Sequence, residues 1–369
     1  MLFAVPAHLF IFNLCIGFFL GVVFYRADYC MAAMFRDIFL IKDYTLLRSF
    51  FLLSVFGMAF FYTARAAGLV LFYPPPQYDH PSLMNAVGGV VFGMGMVMAG
   101  GCVVGTLYKA AGGHLTNVIA FGGIILGSTA YAELHPYFEL LRRKTIIVKY
   151  VLVSDIASDV EFPLVLCIVV VSFFIFLKWK SQGKWRVTSY ARGYLQPYKA
   201  AILISLLNLS AYIFSGWPIG VTTLYAKAAG YLEKMLAPAH LDRLTYFKED
   251  TFHAELQGTV ITGGAGPKVD IISFTELPLV IGIATGAFIT AILLKEFKIY
   301  GLPPRRQALS AFAGGAILAF GARIAGGCNV KFALGGVPLL AFQGFFFLVG
   351  LTAGAYLGTI LLKRFVVRV

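Results

Sequence analysis

The chain has 369 residues, of which 59% are hydrophobic and 13% are charged, whereas a soluble domain is about half apolar and about a quarter charged. This composition excludes an ordinary soluble domain and indicates an integral membrane protein, because lipid-facing surface needs few polar side chains. The net charge of +13 does not indicate nucleic acid as a partner, since the basic residues lie in short loops between apolar segments, where they orient membrane helices.

Nine apolar segments are predicted to span the membrane, because a spanning helix needs roughly 20 mostly apolar residues. In chain order they are 6–24, 45–72, 84–99, 115–132, 160–178, 199–216, 276–294, 308–324 and 338–362. The first lacks a basic region and a small-residue cleavage site, so it is expected to be a spanning helix and not a cleaved signal. The predicted fold class is an all-α integral membrane protein with one transmembrane domain over residues 1–369.

Four shorter segments, interrupted by glycine and moderately polar, lie between the spans. They are 26–37, 101–112, 217–230 and 326–336. They could be loops, but we expect re-entrant helices that are shielded from lipid by protein. A long polar stretch, 231–275, is predicted to be an external insertion that is too short for a separate domain.

The loop 178–199 holds six lysine and arginine residues and no acid. Loops of this kind face the cytoplasm. Alternation of the spans then places 36–48, 295–307 and the C-terminal tail on the same side, and it places most acidic residues outside. The predicted orientation is N-terminus outside and C-terminus in the cytoplasm.

A repeated pattern of glycine, alanine and cysteine divides the chain into half-repeats of approximately 1–178 and 199–369. The two copies are Gly88-Gly89, Gly95 and Ala99-Gly100-Gly101-Cys102, and Gly314-Gly315, Gly321 and Ala325-Gly326-Gly327-Cys328. All positions match at one offset of about 226 residues, which indicates an internal repeat. Glycine packing between helices could explain the early positions, but it does not explain two Gly-Gly-Cys endings. The predicted orientation makes the two repeats inverted, as in many secondary transporters.

The Gly-Gly pairs, Gly100-Gly101 and Gly326-Gly327, are predicted to end a helix, with a short second helix beginning just after each cysteine. Cys102 and Cys328 would then lie near helix N-termini, where backbone N–H groups and the helix dipole favour an anion. Thiols are soft and weakly polar, so they suit a polarisable sulfur anion better than a hard cation. A metal site is the competing interpretation, but the cysteines and histidines lack ligand spacing, and no metal or cofactor is expected.

Cys30 is a third candidate, because Arg26, Asp28, Arg36 and Asp37 flank it just past the first span. Charges at that depth need partners or water, so we expect some of them to pair with each other.

The other two cysteines, Cys15 and Cys167, lie in uninterrupted apolar helices and are expected only to pack. Three basic residues, Arg26, Lys109 and Lys331, could attract anions. The two lysines could equally cap short helices.

At these residues the chain resembles a known family. The segments YRADYCMAAMFRD, AGGCVVGTLYKAAGG and RIAGGCNVKFALGG resemble the three cysteine motifs of the YeeE/YedE family, the thiosulfate transporter group. The resemblance covers nearly the whole chain and implies an hourglass-shaped inner-membrane protein of about nine spans plus short re-entrant helices. It also implies that thiosulfate passes between cysteines at a central constriction, here Cys30, Cys102 and Cys328. After Cys328 the chain reads Asn-Val-Lys-Phe, where thiosulfate-type members more often have Thr-Ser-Gly-His.

The favoured hypothesis is therefore a transporter of an inorganic sulfur anion, and not an enzyme. Related members of the family are linked with selenium metabolism, so a selenium species is an alternative substrate. A membrane-bound sulfurtransferase that forms a persulfide on a cysteine is a second alternative, and a structural subunit is a third. The expected partners are the small anion, the lipid bilayer and a cytoplasmic sulfur-carrier protein that resembles TusA.

Overall fold

The computed structural model describes residues 5–156, 158–187, 189, 191, 193–256 and 259–367. In this part of the chain the structure is almost entirely helical, with one two-stranded hairpin. In chain order the elements are α1 (Val5–Ala27), α2 (Met31–Leu40), α3 (Thr45–Ala66), α4 (Leu83–Ala99), α5 (Val103–Ala111), α6 (Leu115–Lys144), a 3₁₀ turn (Val153–Asp155), α7 (Ser158–Ser181), α8 (Pro197–Ser215), α9 (Thr222–Leu236), α10 (Pro238–Leu241), α11 (Thr245–Lys248), β1 (Phe252–Leu256), β2 (Thr259–Gly263), α12 (Ile271–Leu293), α13 (Arg305–Ala325), a π-helix (Val330–Gly336), α14 (Phe342–Leu362) and a π-helical extension of it (Lys363–Val367).

The described residues contain nine helices long and apolar enough to cross a membrane. They are α1, α3, α4, α6, α7, α8, α12, α13 and α14. Each overlaps one predicted span, so the prediction of an all-α membrane protein is confirmed. The four short segments are helical as well, in α2, α5, α9 and the π-helix.

Two predicted boundaries are wrong. The span predicted at 45–72 ends at Ala66, because Gly68 turns the chain in a left-handed conformation with φ +70°. The span predicted at 115–132 continues to Lys144 through Pro136. Its polar residue His135 does not end the helix, since it is buried against Tyr246 and bonded to Glu249.

The helix pairs that pack together show that each element before α7 has an equivalent element after it. α4 packs on α14 as α13 packs on α6, and α1 packs on α12 as α8 packs on α3. The short helices follow the same rule, since α5 contacts α6 and α12 as the π-helix contacts α14 and α3. Only one span, α7, separates the two sets, so a chain that alternates across the membrane carries them in opposite orientations.

The repeated glycines bring the backbones of α4 and α13 into direct contact. Gly88 lies against the backbone of Ala325, and Gly314 lies against the backbone of Ala99. The two contacts are equivalent, because the repeat relates Gly88 to Gly314 and Ala99 to Ala325. A Cβ atom at either glycine would overlap the opposite backbone, which explains why small residues are needed there.

The insertion 231–275 is seated on the bundle. Leu241, Leu244, Tyr246 and Phe247 of this segment form one buried cluster with Tyr131 of α6. A buried ion pair also holds the segment, since Nζ of Lys227 on α9 lies 2.8 Å from Oδ2 of Asp270. The same Nζ donates to the carbonyls of Gly266 and Lys268, each at 2.8 Å.

Candidate functional site

Two helix breaks of the same geometry position Cys102 and Cys328. α4 ends at Gly100, with φ +73°, and α13 ends at Gly326, with φ +76°. Both are left-handed conformations that glycine adopts without steric cost. The predicted second helices follow as α5 and the π-helix. Each cysteine therefore lies between a broken helix and a short one, as the repeat predicts.

Cys30 and Cys102 meet across Gly105. Cys30 is the N-cap residue of α2, and Cys102 is the N-cap residue of α5. A Cβ atom placed on Gly105 would lie 2.9 Å from the Cys30 sulfur and 3.3 Å from the Cys102 sulfur. The Cys102 sulfur accepts a hydrogen bond from the Gly105 N–H at 3.3 Å, and the two thiols lie close enough to interact electrostatically. Both residues are buried, so the two helix starts enclose the pair of thiols.

Cys328 has different neighbours from those of the Cys30 and Cys102 thiols. It is fully buried, and the backbone N–H groups of Val330 and Lys331 and the hydroxyl of Thr222 lie near its sulfur. Thr222 is the first residue of α9, which packs in the second set of helices as α2 packs in the first. The thiol–thiol pair of the first half thus corresponds to a thiol–hydroxyl pair in the second half.

Three buried polar side chains between these positions have polar atoms without a hydrogen-bond partner in the described structure. They are Thr106 at Oγ1, Tyr225 at the hydroxyl and Asn329 at Oδ1. The Asn329 amide nitrogen contacts the Met31 sulfur at 2.9 Å, so this side chain links the Cys328 segment to α2. Buried polar groups are nearly always paired in native structures, so unpaired groups gathered in one place favour a ligand site.

A cavity of about 710 Å³ opens beside the thiol pair. Its lining includes Gly100 and Lys109 near the thiols and Tyr194 and Tyr300 at the far side. The last two belong to the segments predicted to face the cytoplasm. This cavity therefore leads from the side predicted to be internal toward Cys30 and Cys102.

The basic residues predicted to attract anions are distributed between two regions. Arg26 and Lys109 line the cavity. Nε of Arg26 donates to the Gly193 carbonyl at 2.7 Å, and Nζ of Lys109 lies 3.7 Å from Asp28. Lys331 follows Cys328 instead, and its Nζ donates to the Gly326 carbonyl at 2.6 Å.

Of the four charges around Cys30, Arg36 and Asp37 pair with each other as expected, and the other two bond to residues outside the group. Arg36 bonds to Asp37 at 2.7 Å, and Asp28 accepts from the Tyr108 hydroxyl at 2.7 Å.

The remaining two cysteines are on the outside of the bundle. Cys15 and Cys167 are both exposed, so they do not pack in the protein interior; that they take no part in the site stays a prediction. A uniformly apolar helix gives no periodic signal for which face meets lipid, which is why the sequence could not place them. Neither cysteine lies near the helix breaks.

Sequence reasoning did not single out Thr106, Thr222, Tyr225, Asn329 or Arg323. Asn329 follows Cys328 directly, and Thr222 lies in the segment that symmetry relates to Cys30. These two positions are the sequence features that could have indicated a place in the site. Tyr225 lies in the same segment as Thr222, and Arg323 begins the motif that contains Cys328, but only the fold shows that both act electrostatically on the Cys328 thiol.

Comparison with known proteins gives a consistent result. A family model described as "Sulphur transport" matches residues 26–357. The chain is 24% identical over 363 residues to the thiosulfate transporter TsuA of Escherichia coli K12, covering 93% of this chain and 92% of that protein. It is 27% identical over 358 residues to the thiosulfate transporter TsuA of Spirochaeta thermophila, covering 92% and 96%. It is also 26% identical over 162 residues to the probable transporter YedE of Escherichia coli K12, covering 44% of this chain and 36% of that protein.

Proposed function

The chain belongs to the sulphur-transport family, and we propose that it takes up thiosulfate, or a related inorganic sulfur anion, across the inner membrane. The pathway runs past Cys328, then Cys102 and Cys30. The observation that carries this proposal is the pair of buried thiols on the two sides of Gly105, each at the start of a short helix. Two relatives that match nearly the whole chain are named thiosulfate transporters, which supports the choice of substrate.

The thiols are suited to act as weak binding sites for the anion along the pathway. Transport requires sites that bind an ion well enough to draw it in and weakly enough to release it. Ammonium and guanidinium groups bind anions through strong charge-assisted hydrogen bonds, whereas an S–H group is a weak donor. A thiol also matches the polarisable terminal sulfur of thiosulfate. Successive thiols therefore offer the anion several shallow positions.

The surrounding groups supply the hydroxyl donors and the positive charge that a thiol lacks. The hydroxyls of Thr106 and Tyr225, which have no partner in the described structure, are available to donate to the anion's oxygens. Lys331 on one side of the constriction and Arg26 and Lys109 on the other side attract the anion toward it.

The orientation and the partner belong to the proposal. We place the N-terminus outside and the C-terminus in the cytoplasm, as the basic loops predict. The 710 Å³ cavity then opens inward. A cytoplasmic sulfur carrier of the TusA kind would consume the anion there, because its thiolate would take the terminal sulfur as a persulfide while sulfite leaves. This removal would draw the flux inward without a pump.

The test is transport in proteoliposomes. Purified protein is reconstituted, and uptake of thiosulfate is compared with uptake of sulfate, sulfite and selenium oxyanions. Thiosulfate uptake above that of empty vesicles supports the proposal, and a preference for a selenium species would replace the substrate. Release of sulfite from thiosulfate with sulfur retained on the protein would instead indicate a sulfurtransferase that forms a persulfide.

Cysteine variants locate the pathway in the same assay. Cys102→Ala and Cys328→Ala should abolish or severely reduce uptake, and Cys30→Ala should impair it. The matched control is the double variant Cys15→Ala with Cys167→Ala, which should transport as the parent does because both residues lie on the bundle exterior. Parent-rate uptake by a chain lacking Cys30, Cys102 and Cys328 together would refute the thiol stations.

A further inference from the structure

Arg323 carries a charge that has no role in the cysteine pathway proposed above. It lies on α13, five residues before Cys328, and its guanidinium acts electrostatically on that thiol. Its Nη1 donates to the Tyr246 hydroxyl at 3.1 Å. Its Nε is buried and has no hydrogen-bond partner in the described structure. No carboxylate of the described residues lies within salt-bridge distance of it, although a charge at membrane depth normally requires a partner.

Lys331 lies on the other side of the same helix break. Its Nζ donates to the carbonyl of Gly326 and stands 5.6 Å from the centre of the Tyr78 ring. It too forms no salt bridge with a described carboxylate. Near the thiol pair the situation is different, because Lys109 is paired with Asp28. The Cys328 end of the pathway therefore holds two cations, Arg323 and Lys331, that have no ion pair with a described carboxylate.

The nearby carboxylates are engaged elsewhere. Oε2 of Glu276 accepts from the backbone N–H of Leu224 at 2.8 Å. Asp79 is bound by Arg142 at 2.7 Å. Burial opposes the ionisation of Asp79, but hydrogen bonds from the His80 backbone and from Arg142 hold the pKa of this carboxyl below its usual value. These acids act electrostatically on the two cations, but neither forms a direct ion pair with Arg323 or Lys331 among the described residues.

The insertion 231–275 provides the group that holds Arg323 in place. Tyr246 belongs to α11, and its ring packs edge-on against Tyr131, with centroids 5.2 Å apart, and beside His135 at 4.9 Å. His135 also bonds to Glu249 of the insertion at 3.0 Å. The hydroxyl that meets the guanidinium is thus fixed by packing on α6. The rest of the insertion is held by the Lys227–Asp270 pair.

We propose that Arg323, positioned by Tyr246, forms with Lys331 a capture site for the oxygen-bearing end of a small sulfur oxyanion before it reaches Cys328. A guanidinium presents several N–H groups in a rigid plane that matches a tetrahedral oxyanion, and a neighbouring ammonium adds a second charge. This site binds the sulfur-bound oxygens that thiosulfate and sulfate share. The thiols further along the pathway then favour thiosulfate over sulfate, because only thiosulfate has a terminal sulfur. The insertion is then a part of the binding site. The site's place in uptake rests on the proposed function, but its affinity for oxyanions is measurable without it.

The experiment compares three variants of the full chain in proteoliposomes and in detergent. Arg323→Gln should raise the KM for thiosulfate about tenfold or more, with a smaller effect at saturating substrate, because one charge-assisted contact is lost. It should weaken competitive inhibition by sulfate in parallel. Tyr246→Phe keeps the guanidinium but removes its partner, and it should raise KM about threefold. The matched control is Arg143→Gln, since Arg143 is exposed and already paired with Glu139; its KM should be unchanged.

A KM for thiosulfate in Arg323→Gln equal to that of the parent, in protein that elutes as a single species, overturns the capture site. If that variant does not fold, Tyr246→Phe decides, and a parent KM there overturns the role of the insertion. If the parent itself moves no thiosulfate, the proposed function fails. Calorimetric titration of parent and variants with sulfate and with thiosulfate then still tests the capture site, which predicts weaker binding of both anions in Arg323→Gln.

Discussion

Gly105 is the position where one added methyl group tests the pathway most directly. The residue lies in α5, between the sulfurs of Cys30 and Cys102, and a Cβ atom there would stand 2.9 Å and 3.3 Å from them. The change Gly105→Ala leaves every thiol, charge and hydroxyl in the protein intact. It alters only the space between the two thiols.

The size of the effect follows from those distances. Ordinary contacts between nonpolar atoms are about 3.5–4.0 Å, so the methyl group would stand roughly 0.5 Å too close to at least one sulfur. Alanine is favoured over glycine in a helix by up to about 1 kcal/mol, which offsets part of the strain and should keep the chain folded. Overpacking typically costs about 1–3 kcal/mol. If the passing anion must overcome a similar cost to part the thiols, uptake falls about tenfold or more, since 1.4 kcal/mol corresponds to a factor of ten.

The assay is initial uptake of thiosulfate into proteoliposomes at matched protein content. The control is Gly122→Ala on α6, where the nearest atom to an added Cβ is a carbon of the Phe312 ring at 3.7 Å, an ordinary contact. That variant should transport at the parent rate. Parent-rate uptake by Gly105→Ala, in folded protein, would show that the anion does not pass between Cys30 and Cys102.

Two further predictions concern topology and the insertion. With Cys15 and Cys167 replaced by alanine, a cysteine introduced as Lys248→Cys should react with an impermeant maleimide on whole cells, whereas Lys184→Cys should not; the reverse labelling would invert the proposed orientation. Lys227→Ala should lower the free energy of unfolding by about 3 kcal/mol, because it leaves Asp270 buried and unpaired. Thermal unfolding in detergent measures this change, and the paired substitution Lys227→Met with Asp270→Leu should recover most of it.

Helix count and the two cysteine breaks could be predicted from the sequence, because they depend on signals that are local in the chain. Apolar runs fix the number of spans, and Gly-Gly-Cys after a glycine-rich helix marks a break whose geometry the structure confirms at Gly100 and Gly326. None of these inferences required knowledge of which residues are neighbours in space.

The composition of the site could not be predicted in the same way. Tyr246 and Arg323 are 77 residues apart in sequence. Arg323 is the first residue of the third cysteine motif, but Tyr246 belongs to no motif, so their contact depends on how the insertion is seated. Thr222 faces Cys328 only because α9 begins there. The exposure of Cys15 and Cys167 escaped prediction because their helices are apolar on every side.

The crossing of α4 and α13 limits how this protein can move. Where Gly88 meets Ala325 and Gly314 meets Ala99, backbone touches backbone with no side chain between them to deform. Rocking one half of the molecule against the other would have to separate these surfaces and open a gap at the centre of the bundle, where interiors tolerate few voids. We therefore expect permeation to proceed through a nearly rigid frame, with displacements confined to the thiols, the short helices and the insertion. A protein of this kind would work more as a narrow, selective conduit than as a hinged carrier.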